Sequence, residues 1–512
     1  MEKKSYIVAV DIGSSEVVVA VGSLAEGGVI NIECVVAEPT EGVTAGLVDN
    51  NQMVASALIK ARQAAEQQAG IAITDAYVSI SGKFVRCARY TDHVFVEDVE
   101  NCISKRDVSA LRDRMENVKA ADGEVIMDLF PISYKSDMGV EMKNPVGSYS
   151  KQLSSTYNFI LCERAAKDRL HRVFLDAGIR MRGVFASAAV VAESVINSDE
   201  MQEGVAVVDM GSGVTDVAIY YGGVLNYIAT IPIGGAAVNS DIRHFNGYIP
   251  PRTVENLKRR YGSAVVSSTP DELIQPQVRK GGRAIKPIPR LNLAAVIEAR
   301  MTDIAEYVWN EIRDAGFAKK LSAGIVLTGG AAALKNVDEL FARVTGQETR
   351  VACAEIGVAT ESLVKVASTN YTLAVSTLLR GAKMGACPVS VLHTPVQAIE
   401  REPVAQQPVQ QPAQPMQTPY TPQATPAAKP AAPASQPRTI NESYGAPAET
   451  EGTQHVTERI VTPTITSTPI EYGNEKEKDD RDDVKAGSWT DKIKRWFDEA
   501  FSNPDEDDDD EM

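Results

Sequence analysis

A strand, a small-residue turn and a second strand recur in the same order at two distant places, and this repeat limits the possible folds more than any other feature. Tyr6 to Val10 runs into Asp11-Ile12-Gly13-Ser14-Ser15 and then into the β-branched run Val17 to Val21. The pattern returns in "VAVVDMGSGVTDVAIYYGG", where Asp209, Gly211, Ser212, Gly213 and Thr215 match the earlier turn. Glycine permits positive φ and lets backbone N–H groups approach phosphate oxygens, while the Ser14 and Ser15 hydroxyls can donate to the same oxygens. Two such hairpins facing one another across a cleft would close on the β- and γ-phosphates of a nucleotide from both sides. Asp11 and Asp209 would then face one magnesium ion through water, because that ion sheds its hydration shell reluctantly. A single D-x-G-S is also compatible with an ordinary β-turn.

A third element is Ile325 to Thr328, followed by Gly329-Gly330-Ala331 and a helix around Val337 to Val344. A strand ending in small residues before a helix can lie flat against adenosine and the α-phosphate. Taken alone a GG turn is usually structural. The order D-x-G-S, D-x-G-S-G-x-T, T-G-G, each after an apolar strand, points to a nucleotide cleft.

The net charge of −16 over 512 residues argues against nucleic acid as a partner, since phosphate backbones need clustered Lys and Arg. The six cysteines form no CxxC pair and the five histidines fall at no metal-ligand spacing, so neither set is assigned chemistry. The apolar run after Glu2, Lys3 and Lys4 is cut by Asp11, too early for a signal-peptide core. No apolar stretch reaches bilayer-spanning length, and a cytoplasmic protein is expected.

Up to about Val391, β-branched runs alternate with helical patterns, as in an α/β architecture. Residues 392–487 shift to Pro, Gln, Ala and Thr and read as a disordered tether with a root-mean-square span of roughly 50 Å. Residues 488–502 regain helical periodicity, and an acidic tail, 503–512, follows. On a helical wheel Trp489, Ile493, Trp496, Phe497, Ala500 and Phe501 form one apolar face, as in a helix lying in a membrane interface. The alternative is a helix that docks back on the body. One such helix is marginal, because about 8 to 15 kcal/mol of burial meets a comparable ordering cost. Firm attachment would then come from many helices held together in a polymer. The acidic tail would be repelled by anionic lipid, or it serves as a solubilising end.

These motifs resemble the actin, Hsp70 and sugar-kinase superfamily. The segments "YVSISGKFV", "IPIGG" with Asn239 and Asp241, "ENLKRRYGSA" and "LAAVIEAR" narrow the resemblance to the FtsA family of bacterial cell-division proteins. The resemblance implies a two-lobed actin-like ATPase fold of duplicated ribonuclease-H-like domains with an inserted 1C (SHS2) subdomain. Subdomain 1A would take residues 1–82 and 164–203, 1C 83–163, 2A 204–240 and 313–368, and 2B 241–312, with a return helix over 369–391. "TVENLK" resembles the T-A-E-x-I-K pattern of bacterial actins, making Glu255 and Lys258 candidate nucleoside contacts, although an exposed helix pair at i, i+3 reads the same way.

The family further implies ATP and Mg2+ as ligands and self-association into filaments. It implies FtsZ as a partner through 2B, later divisome proteins through 1C, and lipid at the cytoplasmic face of the inner membrane at the division site. There are departures: Ser14 stands where the family often has Thr, and Glu16 where it often has Lys. Between Ile179 and Ala192 there is no Asp, Glu, Gln or His to orient water, so binding with at most slow hydrolysis is expected. A pilus-assembly actin homologue would share the body without the aromatic tail. A small-molecule kinase would need a carboxylate base beside a substrate hydroxyl, and no motif for a substrate pocket is present.

Overall fold

The computed structural model describes residues 4–245, 249–276 and 285–391, together with the backbone of residues 464–465. The expected terminal helix, with Trp489, Ile493, Trp496, Phe497 and Phe501, lies outside the described residues, as do the acidic tail and all of the tether except that backbone pair. Thr464–Ile465 runs parallel to Lys119–Ala120.

The valine-rich runs around each D-x-G-S turn alternate faces that are both buried, so each becomes a central strand. In the first lobe the sheet order is Arg180–Ala186, Asp75–Ile80, Tyr6–Ile12, Glu16–Leu24, Ile30–Pro39. The last three strands are antiparallel and the first two pair in parallel. In the second lobe Thr349–Val351, Ile325–Thr328, Val205–Met210, Thr215–Tyr221 and Val224–Ile231 repeat that order and those directions.

The registers also repeat. Asp11 lies opposite Val18 and beside Ser79, and Asp209 lies opposite Asp216 and beside Thr328. The duplication seen in the sequence is therefore a duplication of whole sheets. One apolar core runs from the first sheet onto one face of the second, where it takes in Val205, Val207, Ala218, Tyr220 and Val326, and a second core lies on the other face of the second sheet. Helices Asn51–Ala69 and Thr372–Met384 pack on the first sheet, and helix Arg290–Asp314 contributes Leu293, Ile297, Met301, Ile304 and Val308 to the second core.

Between the strands of the first lobe, a separate sheet is ordered Glu141–Met142, Glu124–Lys135, Gln152–Glu163, Val85–Phe95. Helix Lys105–Glu116 covers it. That helix starts with a capping box in which the Ser104 hydroxyl accepts from the Asp107 N–H while the Asp107 carboxylate accepts from the Ser104 N–H, satisfying two otherwise orphaned donors. The chain enters and leaves this sheet through the first lobe, yet the sheet leans on the second. Asn158 Nδ2 and Arg89 Nη2 donate to the Asn226 carbonyl at 3.2 and 3.3 Å, on the outer strand Val224–Ile231.

The small core of the inserted sheet centres on Phe159, Leu161, Leu111 and Met115. Phe159→Ala is expected to cost about 3 to 5 kcal/mol locally. Hydrogen exchange should speed up across 85–163 while strand Tyr6–Ile12 keeps its protection; uniform loss of protection would mean that this sheet is no separate unit.

All six cysteines are free; Cys34, Cys162 and Cys387 are buried, and Cys87, Cys102 and Cys353 are only partly covered. Among the described residues no helix is long and apolar enough to cross a membrane.

Candidate functional site

The two turns close in the same way: the Gly13 N–H donates to the Glu16 carbonyl at 3.0 Å, and the Gly211 N–H to the Val214 carbonyl at 2.9 Å. They also meet. A Cβ built on Gly213 would stand 2.4 Å from Ser14 Oγ and 3.6 Å from the Ala45 nitrogen, so the second turn packs this closely on the Ser14 hydroxyl because residue 213 has no side chain. Gly13, Ser14, Ser15, Gly211, Ser212 and Gly213 are thus gathered where the lobes face each other.

The second turn is braced from behind. The Gly235 and Ala236 N–H groups donate to the Gly211 and Ser212 carbonyls, both at 2.9 Å. The fully buried Thr215 hydroxyl donates to the Ile233 carbonyl at 2.8 Å, so here it supports the turn. The GG element lies against the same hairpin. Gly329 has φ of +85°, and a Cβ there would lie 2.2 Å from Asp209 Oδ1. Gly330 follows beside Asn370, and Ala331 Cβ is 3.3 Å from where a Cβ of Gly235 would stand. The turn does not pass directly into a helix: Gly330–Ala333 is a 3-10 turn, and helix Val337–Thr345 begins after Asn336, which has a φ of +62°.

Glu255 and Lys258 lie on helix Pro251–Tyr261, an apolar-faced helix whose Val254 and Leu257 are buried. Lys258 Nζ is 3.0 Å from Glu255 Oε2 and donates to the Gly235 carbonyl at 3.4 Å. Asn239 Nδ2 donates to the same Glu255 oxygen at 2.8 Å. The pair is therefore drawn in beside the Gly211 turn, and the Lys258 side chain is only 16% exposed.

Carboxylates crowd this place. Burial, with Glu16 and Asp216 nearby, pushes the Asp11 carboxyl up to about 7. Burial and then the neighbours Asp216 and Asp11 hold Asp209 well above the ordinary carboxylate range. Asp216 is pushed up to about 6 by burial, with the hydroxyls of Ser81 and Thr230 pulling it back. Burial acts upward on Glu255 too, but Lys258, Asn239 and Arg259 outweigh it and hold the carboxyl below its usual value. Such a set is costly when ionised and alone, and a cation would relieve it.

Two more groups point the same way. Ser79 Oγ and Thr328 Oγ1 are buried without a hydrogen-bond partner, and they occupy matching places beside Asp11 and Asp209. Orphaned polar atoms in matching positions of both lobes suit a hydrated ligand. Among the described residues no three His, Cys, Asp or Glu side chains converge closely enough to hold a metal directly.

Reasoning from sequence overlooked Asp216 and Asn370. The repeat itself held a signal for Asp216, since the matching position of the first hairpin is Val18 and a carboxylate stands where an apolar residue would do. Nothing in the sequence marks Asn370, which reaches Glu16 across 354 positions of chain. Segment Arg180–Ala186 forms an edge strand, and it brings no ionisable residue beyond its two arginines.

Two sheets of one topology, each presenting an aspartate-tipped hairpin to the other, with a glycine turn alongside, define a two-lobed actin-like protein. The solved PilM-PilN type IV pilus biogenesis complex has the same fold, at a TM-score of 0.50 with 14% identity, covering 73% of this chain and 98% of that one. The family model "Cell division protein FtsA" matches residues 206–376. Cell division protein FtsA of Escherichia coli (strain K12) is 30% identical over 357 residues, 68% of this chain and 84% of its own. Its counterpart in Pseudomonas aeruginosa is 28% identical over 353 residues, 69% of this chain and 84% of its own. The chain belongs to the FtsA family of cell division proteins. The pilus-assembly alternative has the fold alone in its favour.

Proposed function

We propose that the cleft between the two hairpins binds Mg-ATP, and that the protein polymerises and ties the FtsZ ring to the cytoplasmic face of the cell membrane at the division site. The observation that carries the nucleotide part is the meeting of the Ser14 and Gly213 turns, with Asp209 buried and Asp11 half-buried just behind them. Backbone N–H groups and hydroxyls of Ser14, Ser15, Ser212 and Gly213 would take the phosphates from both sides, with Gly13 and Gly211, whose N–H groups close the turns, leaving the backbone open to them. Thr215 would keep the second turn in shape. Gly329, Gly330 and Ala331 offer a flat wall for adenosine, and Glu255 and Lys258 offer nucleoside contacts.

Asp11 and Asp209 would hold magnesium through water, with Ser79 and Thr328 as further partners for that water. The ion supplies charge neutralisation between carboxylates and phosphates. Because the ligand touches both lobes, it favours the closed arrangement, and closure is what a head-to-tail neighbour would sense.

FtsZ would dock on the 2B part, residues 241–312, and later divisome proteins on the inserted part, residues 83–163. The subdomain limits follow the FtsA resemblance. The helix at 488–502, through Trp489, Ile493, Trp496, Phe497 and Phe501, would bind lipid, and filament formation would multiply its weak grip.

Cosedimentation with anionic vesicles and Mg-ATP tests the anchor. Wild-type protein should pellet and Trp496→Glu should stay in the supernatant, with at least about a tenfold loss of bound fraction expected for a charge placed in the apolar face. Equal pelleting of both would remove the membrane role, and absence of any calorimetric heat with Mg-ATP would remove the nucleotide.

A further inference from the structure

Glu16 closes the first turn through its backbone and presents a half-buried carboxylate from it. That carboxylate is not free to swing, because Asn370 Nδ2 donates to Glu16 Oε1 at 3.2 Å. Asn370 sits on the 3-10 turn Thr369–Tyr371, with its Oδ1 3.1 Å from where a Cβ of Gly330 would stand. One amide thus links the first turn to the GG turn and fixes the Glu16 charge between them. The corresponding residue of the second turn is Val214, so the two sides are unequal in charge.

The groups that face Glu16 are mixed. Burial pushes its carboxyl up, Asn370 and Arg259 of the second lobe act against that, and Glu255 of the second lobe adds to it. Glu16 in turn contributes to raising Asp11, so its charge is felt where the two hairpins meet. A fixed anion there repels phosphate, and the repulsion grows with the charge on the terminal phosphate.

We propose that Glu16, positioned by Asn370, is a specificity-determining residue that lowers the preference of the cleft for a nucleoside triphosphate relative to the diphosphate. This inference rests on the Mg-nucleotide reading of the cleft.

The test is calorimetric titration of the full chain and of Glu16→Gln with Mg-ADP and Mg-ATP at about pH 8, well above ordinary carboxylate pKa values. Glu16→Gln should tighten Mg-ATP about tenfold and Mg-ADP by much less, since one unit charge at this range in a partly screened site is worth an effect of that order. Glu16→Ala, which removes the same charge without an amide, should shift the ATP-to-ADP preference in the same direction, so the test does not depend on one variant folding.

Equal tightening of both nucleotides would overturn the inference while leaving the cleft as a nucleotide site. Weakening of both would overturn it too, because Glu16 would then be supporting the cation. Wild-type protein that binds neither nucleotide would remove the reading of the cleft, and this inference with it.

Discussion

Asp11→Asn should make the ligand-free protein more stable above neutral pH and at the same time abolish Mg-nucleotide binding. The carboxyl titrates near 3.8 in the unfolded chain and at about 7 in the folded one, chiefly because it is buried. Between those values the folded state holds more protons than the unfolded state, so stability falls as pH rises through that window. The penalty is absent below about pH 4 and fully present above about pH 7. Its size is on the order of 2 to 4 kcal/mol, shared with the coupled carboxyls of Asp209 and Asp216.

An isosteric amide removes the penalty and also removes the charge that would steady magnesium. Thermal melts without ligand should therefore drop steeply from pH 5.5 to pH 8 for the wild type and less for Asp11→Asn, while titration with Mg-ATP should give heat only for the wild type. Parallel pH slopes would show that Asp11 carries no such burden. Mg-nucleotide added at pH 8 should restore wild-type stability by mass action and leave the variant unmoved.

Gly329→Ala should damage both the fold and the cleft. At a φ of +85° an added Cβ is strained by itself, and it would stand 2.2 Å from Asp209 Oδ1 and 2.7 Å from the Met210 carbonyl. The carbonyl cannot move without breaking the parallel pairing of Asp209 with Thr328. A loss of about 2 to 4 kcal/mol follows from backbone strain and steric crowding together, with nucleotide affinity falling below detection because Asp209 is displaced.

Gly213→Ala makes the instructive contrast. Its nearest neighbour is the end of a side chain, Ser14 Oγ, which can rotate away. That variant should fold with little loss in melting temperature yet bind Mg-ATP at least about tenfold more weakly, because the turns no longer close. If Gly329→Ala melted and bound like the wild type, the GG turn would be misplaced as a wall of the site.

The sequence by itself determined the strands, the turns and the duplication. Alternating β-branched runs, broken by glycine and serine at matching places, leave few other ways to bury valines and turn sharply, and the expected strands at Tyr6, Val17 and Ile325 appear where the pattern put them. The FtsA resemblance also lay in local strings such as "YVSISGKFV" and "IPIGG", which can be read along the chain because a turn needs particular residues in consecutive order.

Only the tertiary structure decided which distant groups share the cleft. Asn370 on Glu16, Lys258 on the Gly235 carbonyl, the orphaned hydroxyls of Ser79 and Thr328, and the inserted sheet leaning on Asn226 all depend on how separate elements pack. Local propensity is written in neighbouring residues and can be read along the chain. The charge balance of a buried site is a sum over space, and each term in it is set by desolvation and distance, which exist only once the lobes have closed.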